Sequence, residues 1–79
     1  MKVEVRLFAT LTQYLPPGSR DGSAVVDVPD GSSAREVTRR LGIPTDLERV
    51  ILVNGRDANP DAPLTSQDVL MLFPPLVGG

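Results

Sequence analysis

The sequence predicts a single α+β domain in which one main helix packs across a mixed sheet of four to five strands. Three observations favour this fold class. The chain has 79 residues, which is enough for one hydrophobic core and no more. The main helix signal follows two strand-like segments, an order that suggests a mixed sheet. Two further apolar segments are too short for core helices, and strands beneath a helix layer have this character.

The first two predicted elements are a strand and a short helix. Charged and apolar residues alternate over residues 2–8, as in a strand with one buried face. The apolar spacing then changes to three and four, which predicts a short helix over residues 11–15, and Thr10 with Gln13 has the spacing of a capping box. The prolines and glycine of residues 16–18 end this helix.

A second strand and the main helix follow. β-Branched residues predict a strand over residues 24–28, which could pair with the first strand. Ser33 and Glu36 have the spacing of a capping box and begin the main helix, which Gly42 and Pro44 end. The predicted inward face of this helix consists of Ala34, Val37, Thr38 and Leu41.

The last part of the chain predicts a hairpin and a final strand. Residues 50–53 form a continuous apolar run, which we interpret as a buried central strand. The Asn-Gly pair at residues 54–55 joins it to a short return strand at residues 56–58. Leu64 is expected to fill part of the core, and residues 69–73 form the last strand.

Composition limits the chemistry available to the chain. Cysteine and histidine are absent, which excludes disulfides, the common metal sites, and thiol or imidazole catalysis. The carboxylates form no obvious acid/base pair, so we do not expect an enzyme. A net charge of −2 gives no long-range attraction to nucleic acid or anionic lipid. Without an apolar run that could serve as a membrane span or signal peptide, a cytoplasmic location is expected.

Several short motifs are spread along the whole chain, and the most specific is the ending Gly78-Gly79. The others are Phe8-Ala9 after the first strand, Asn54-Gly55, Pro63-Leu64-Thr65 followed by Asp68, and Phe73-Pro74-Pro75-Leu76-Val77. In these motifs the sequence resembles the MoaD/ThiS family of ubiquitin-like sulfur carriers, most closely its molybdopterin-synthase small-subunit branch. The resemblance implies a β-grasp fold for residues 1–73 and a flexible, extended C-terminal tail at residues 74–79.

The resemblance also implies how such a chain functions. An adenylating enzyme would use ATP to activate Gly79, a sulfur donor enzyme would convert it to a thiocarboxylate, and the large subunit of molybdopterin synthase would consume the sulfur. The carrier itself would bind no cofactor. The tail residues expected to enter the partner's active site are Pro75, Leu76, Val77 and Gly78. The residues expected at the partner interface are Phe8, Leu64 and Phe73.

The residues of the tail suit this role. Six residues beyond Phe73 can extend at most about 20 Å, and the two prolines restrict them to extended conformations. The terminal glycines have no Cβ atoms, so they fit a narrow channel. Since the chain has no cysteine, its terminus is the plausible place for reactive sulfur.

The sequence departs from the family pattern at two places. Thr12-Gln13 stands where members often have a basic and then an acidic residue, and Leu76 stands where valine is expected. The first difference leaves charged partner contacts there in doubt, whereas the second is conservative.

Three alternatives stay open from the sequence. The sulfur could serve thiamine synthesis or another sulfur-requiring pathway. The chain could be a ubiquitin-like modifier that is joined through Gly79 to lysines of other proteins, or an interaction module with an inert tail. From spacing alone, Phe8, Leu64 and Phe73 also fit a purely structural role in the core.

Overall fold

A computed structural model of the chain describes residues 1–44 and 50–74. Five strands, a 3₁₀ helix and an α-helix form this part of the chain. In order they are β1 (Lys2–Leu7), the 3₁₀ helix (Ala9–Tyr14), β2 (Ser23–Asp27), α1 (Ala34–Arg40), β3 (Val50–Val53), β4 (Arg56–Asp57) and β5 (Val69–Phe73). The predicted elements are all present, with bounds shifted by no more than two residues.

The strands form one mixed sheet in the order β2-β1-β5-β3-β4. β1 and β5 are parallel, and the other neighbouring strands are antiparallel. The predicted pairing of the first two strands is confirmed, with Val5 opposite Ala24. The central strand is β5 and not β3, because β3 lies between β5 and the short β4.

The hairpin between β3 and β4 turns over the Asn-Gly pair as predicted. Asn54 has φ 54° and Gly55 has φ 81°, and a type I′ turn requires positive φ at both positions. The Asn54 side chain then ties this turn to the start of β5. Its Oδ1 accepts from the Val69 N–H at 2.9 Å, and its Nδ2 donates to the Asp68 carboxylate at 3.1 Å.

Both ends of α1 follow from local sequence. The Glu36 N–H donates to Ser33 Oγ at 3.2 Å, and the Ser33 N–H donates to the Glu36 carboxylate at 3.4 Å, so the predicted capping box is confirmed. Gly42, with φ 85°, follows the last turn. The Ile43 N–H then donates to the Thr38 carbonyl at 3.1 Å, which is the long hydrogen bond of a Schellman motif.

One face of the sheet and the inner face of α1 enclose the core. Its buried apolar residues are Val3, Val5, Leu7, Leu11, Val28, Ala34, Val37, Ile43, Leu64, Leu70 and Leu72. The prediction that Leu64 fills part of the core is confirmed, since only 5% of this residue is exposed. Leu41, which is predicted to lie on the inward face of α1, is the C-cap residue and packs against the core while it remains partly exposed.

The short first helix differs from the prediction. It is a 3₁₀ helix that begins at Ala9, and the predicted capping box of Thr10 and Gln13 is wrong. The Gln13 side-chain amide instead donates to the Thr10 carbonyl at 3.1 Å. Ala9 has φ 53°, so a bend of the backbone rather than a side-chain cap starts this helix. Only Leu11 is buried, as expected for a helix this short.

Candidate functional site

The outer face of the sheet is apolar over β3 and β5. Since Leu70 and Leu72 of β5 are fully buried, the alternate residues of β5 point away from the core. Strand register places Phe73 opposite Val50 and Met71 opposite Leu52. We call this surface the open apolar face; it consists of Val50, Leu52, Val69, Met71 and Phe73, with Phe8 beside them. These residues are half-buried except Val50, which is 43% exposed.

Phe8 and Phe73 stack on each other at one end of this face. Their ring centroids are 4.2 Å apart and their ring planes differ by 5°. The backbone sets up this contact, because the Phe8 N–H donates to the Leu72 carbonyl at 3.2 Å and so extends the pairing of β1 with β5. Two of the three predicted interface residues therefore form one surface feature.

A shallow groove of about 390 Å³ lies next to the stacked rings, and Phe8, Ala9, Val50, Phe73 and Pro74 line it. All five residues are apolar, so the groove suits an apolar side chain of a partner. Pro74 is also the last residue that the structure describes. The described chain thus leaves the sheet at this groove.

The third predicted interface residue, Leu64, is elsewhere. Its backbone N–H donates to the Ser32 carbonyl at 2.8 Å, and its side chain belongs to the core. A residue that is 5% exposed offers little surface to a partner. This geometry therefore supports a structural role for Leu64 in the core.

The predicted tail residues Pro75, Leu76, Val77, Gly78 and Gly79 lie outside the described residues. The candidate site therefore consists of the surface around Pro74, where the described chain ends.

Sequence reasoning missed the remaining residues of the open apolar face. β3 was predicted to be buried, yet Val50 is exposed and the rest of β3 is only partly buried. The error arose because a continuous apolar run was attributed to burial on both faces. The same run also arises when one face is in the core and the other is an apolar surface. Leu52 and Met71 carried the signal of an apolar surface, because they occupy outward positions where a solvated sheet would have polar residues.

Beside the open apolar face the sheet becomes charged. Arg6 of β1 lies opposite Met71, and its guanidinium forms an ion pair with Glu4. Glu4 and Arg6 both face outward, because the alternate residues Val3 and Val5 are fully buried on the other side of the strand. The apolar surface therefore has a polar border along β1.

The carboxylates with perturbed pKa values have structural partners. The Thr65 N–H, which donates to the Asp68 carboxylate at 2.8 Å, lowers the pKa of that carboxyl, and Asn54 acts in the same direction. The hydrogen bond from Arg35 to Asp61 lowers the pKa of Asp61 and joins α1 to the loop beside it.

The described residues provide no metal site and no membrane-spanning helix. Within residues 1–44 and 50–74, acidic side chains do not form any cluster of three that could hold an ion. In the same part of the chain, neither helix has the length and apolarity needed to cross a bilayer.

Comparison with known proteins places this geometry among ubiquitin-like proteins. Residues 1–76 match the model of the family described as Mut7-C ubiquitin. Small archaeal modifier protein 1 (SAMP1) from Haloferax volcanii is 26% identical with a TM-score of 0.74, and the match covers 100% of both chains. A protein from Pyrococcus furiosus described as molybdopterin converting factor subunit 1 is 27% identical with a TM-score of 0.71, over 95% of this chain and 98% of that chain.

A third structure is a complex of subunits 1 and 2 of molybdopterin-converting factor from Helicobacter pylori. The matching chain is 25% identical with a TM-score of 0.62, and the match covers 100% of both chains. No curated protein sequence matches this chain. The structural neighbours confirm the predicted β-grasp fold and the predicted resemblance to MoaD-like proteins.

Proposed function

Because this chain belongs to the Mut7-C ubiquitin family and shares its fold with MoaD-like carrier and modifier proteins, we propose that it carries sulfur on the carboxylate of Gly79. The proposal requires Gly79 to be the last residue of the mature chain. The carrier would act in the cytoplasm as a co-substrate of other enzymes and would not be a catalyst itself.

The observation that best supports this proposal is the position of the open apolar face. β5 ends at Phe73, and Pro74 lines the groove together with Phe8 and Val50. A partner that covers this groove therefore binds beside the point where residues 75–79 begin. Docking on the face would bring the terminal carboxylate within reach of the partner's active site, because five residues extend at most about 18 Å.

The chemistry would proceed in two steps on the partner enzyme. The Gly79 carboxylate attacks the α-phosphate of ATP, which gives an acyl-adenylate and releases pyrophosphate. A sulfide equivalent from a sulfur donor enzyme then attacks the acyl carbon and displaces AMP, which leaves a thiocarboxylate. The adenylate is needed because a free carboxylate has no leaving group that sulfide could displace.

We propose the large subunit of molybdopterin synthase as the protein that consumes this sulfur. The relatives from Pyrococcus furiosus and Helicobacter pylori support this choice, since both are described as parts of molybdopterin converting factor. The Helicobacter pylori structure is moreover a complex between its subunits 1 and 2. A thiamine or other sulfur-requiring pathway is the alternative destination.

A second candidate function is protein modification through Gly79. The match to SAMP1, described as a small archaeal modifier protein, favours it at 26% identity over the whole chain. Carrier and modifier share the activated adenylate, and they differ in the nucleophile that attacks it. Sulfide gives a thiocarboxylate, whereas a lysine amine gives an isopeptide bond.

Intact-mass spectrometry separates these functions. The chain is co-expressed with an adenylating enzyme of the ubiquitin-activating type and a sulfur donor enzyme. Replacement of one oxygen by sulfur at Gly79 is the expected result, whereas isopeptide-linked products would support the modifier instead. An unmodified chain, with both enzymes shown to be active on a known carrier, would contradict both functions.

Deletion of Gly79 provides the matched control. The deletion should abolish thiocarboxylate formation and leave the free energy of unfolding unchanged, because residue 79 lies beyond the last strand, which ends at Phe73. A deletion variant that still gains sulfur would show that the reactive group is elsewhere.

A further inference from the structure

Strand β2 is an edge strand with unpaired backbone groups. Among the described residues it pairs with β1 alone. The Leu7 N–H donates to the Gly22 carbonyl and the Val28 N–H donates to the Met1 carbonyl, both at 2.9 Å. Since hydrogen-bonded pairs alternate along an antiparallel ladder, the even-numbered residues of β2 bond to β1. The N–H and C=O groups of Val25 therefore point away from the sheet.

The same alternation applies at both ends of β2. The outward backbone groups of Ser23 are used, since its N–H donates to the Arg20 carbonyl at 2.9 Å and its carbonyl accepts from the Arg20 N–H at 3.0 Å. Asp27 resembles Val25, because neither has a backbone partner on the outer side within residues 1–44 and 50–74. The edge thus offers two donors and two acceptors in a row.

A groove of about 480 Å³ runs beside this edge, between β2 and α1. Val26, Val37 and Leu41 give it an apolar floor, and Arg40 also lines it. Residues 16–19 close one end. The groove lies on the helix side of the sheet, and the open apolar face lies on the opposite side.

We propose that the β2 edge and this groove bind an extended peptide segment of another protein that is apolar at alternate positions and acidic at one end. The peptide would add to the sheet as a sixth strand, with hydrogen bonds to Val25 and Asp27. Alternate peptide side chains would enter the groove, and the intervening ones would lie beside Val25, which is 63% exposed.

The charges around the groove indicate the acidic end of the peptide. Arg40 lines the groove and Arg39 precedes it at the exposed end of α1. Arg20 lies at the start of β2 through its bridge to Ser23. The carboxylate of Asp27 is at the other end of β2 and lies 3.6 Å from the Met1 ammonium. Acidic residues of the peptide are therefore expected near the start of β2.

These charges favour a peptide over a second copy of the chain. Two antiparallel β2 strands related by a two-fold axis would share one sheet, with both α1 helices on the same side. The basic ends of the two helices would then face one common groove, and like charges oppose such an interface. The site does not include Gly79, so it would exist whether or not the chain carries sulfur.

The probe for this site is a synthetic peptide, Asp-Asp-Val-Thr-Val-Thr-Val, added to the ¹⁵N-labelled full chain. We expect the largest amide shift changes at Val25 and Asp27, and saturation at high micromolar or millimolar peptide. A peptide with lysines in place of the aspartates should bind about fivefold more weakly, and R40E should reverse this preference.

Substitution of the edge itself completes the test. V25P removes an outward N–H without removing a bond to β1, and it should abolish binding, whereas V25T should bind as the unaltered chain does. If V25P fails to fold, a peptide with proline at its central valine replaces it and should not bind. Absent shifts, shifts confined to the open apolar face, or β2 shifts that depend on chain concentration without peptide would each overturn the proposal.

Discussion

The proposed role of the open apolar face in partner binding can be tested with the substitution V50D, which places one charge on it. Val50 is 43% exposed, so somewhat more than half of the surface of this residue is buried. Full burial of a valine contributes about 1.5 kcal/mol, and strand propensity spans about 1 kcal/mol, so V50D should cost about 1–2 kcal/mol of unfolding free energy. A small domain with about 5 kcal/mol of stability would remain folded.

Binding should suffer much more than folding. In a complex that covers the groove, the new carboxylate would be buried among Phe8, Phe73 and Pro74 without a partner. An unpaired buried polar or charged group of this kind costs about 3 kcal/mol, which lowers affinity by about two orders of magnitude. The loss of affinity therefore exceeds the loss of stability.

V25D is the matched control. Val25 is 63% exposed and lies on the same outer side of the sheet, because it is opposite Glu4. It is separated from β5 by β1, which places it about 10 Å from the open apolar face. The same chemical change there should leave affinity for the carrier's partners unaffected.

The assay combines urea unfolding with calorimetric titration against the adenylating enzyme and the large synthase subunit. Only V50D should weaken binding, while both variants unfold cooperatively. Unchanged affinity of V50D for both partners, or an equal loss in V25D, would refute the assignment of this surface.

Three further predictions concern residues with structural roles. L64A should lower the free energy of unfolding, measured in urea, by about 2–4 kcal/mol, because it leaves a cavity in the core. The affinity of the folded protein for its partners should not change. A loss of affinity without a loss of stability would show that Leu64 contacts a partner. D68N should cost about 1 kcal/mol at neutral pH through its hydrogen bonds from Thr65 and Asn54. The pKa of Asp68 is lowered in the folded state, so its contribution to stability is present above the pKa of the unfolded chain, about 4, and is lost as pH falls through the pKa of the folded chain. If D68N and the unaltered chain differed in unfolding free energy by the same amount at low and at neutral pH, this prediction would be contradicted. A9G should raise the midpoint of thermal unfolding slightly, because Ala9 has φ 53° and glycine adopts this conformation without strain; a lower midpoint would show that Ala9 contributes more by packing.

Local signals were sufficient to predict the α+β fold class because they agree with one another, whereas the β-grasp fold was implied by the family resemblance. The capping box at Ser33 and Glu36, the hairpin turn at residues 54–55 and the alternation in β1 each specify one element. The central position of β5 was not predictable in this way. It depends on which strands pair, and strand pairing is decided by long-range packing that no local pattern reports.

The candidate site was predictable in part. Phe8 and Phe73 were identified through the family resemblance, and their stacking depends on the parallel pairing of β1 with β5. Spacing alone could not separate Leu64 from them, because an interface and a core both select large apolar residues. Accessible surface makes that distinction, and it requires the folded chain.

The outer side of the sheet carries charged residues on one strand and apolar residues on its neighbours, so the fold does not require every outward position to be apolar. Lys2, Glu4 and Arg6 occupy outward positions of β1, whereas Met71 and Leu52 occupy equivalent positions of β5 and β3. Charged residues are therefore compatible with this side, and apart from Val25 of β2 the outward apolar residues of the strands lie on β3 and β5, next to Pro74. We therefore expect these residues to bind a partner, while the proposed reaction occurs at residue 79. Variants of the open apolar face should lose affinity but react normally when the partner is saturating. Deletion of Gly79 should leave the affinity unchanged and abolish the reaction.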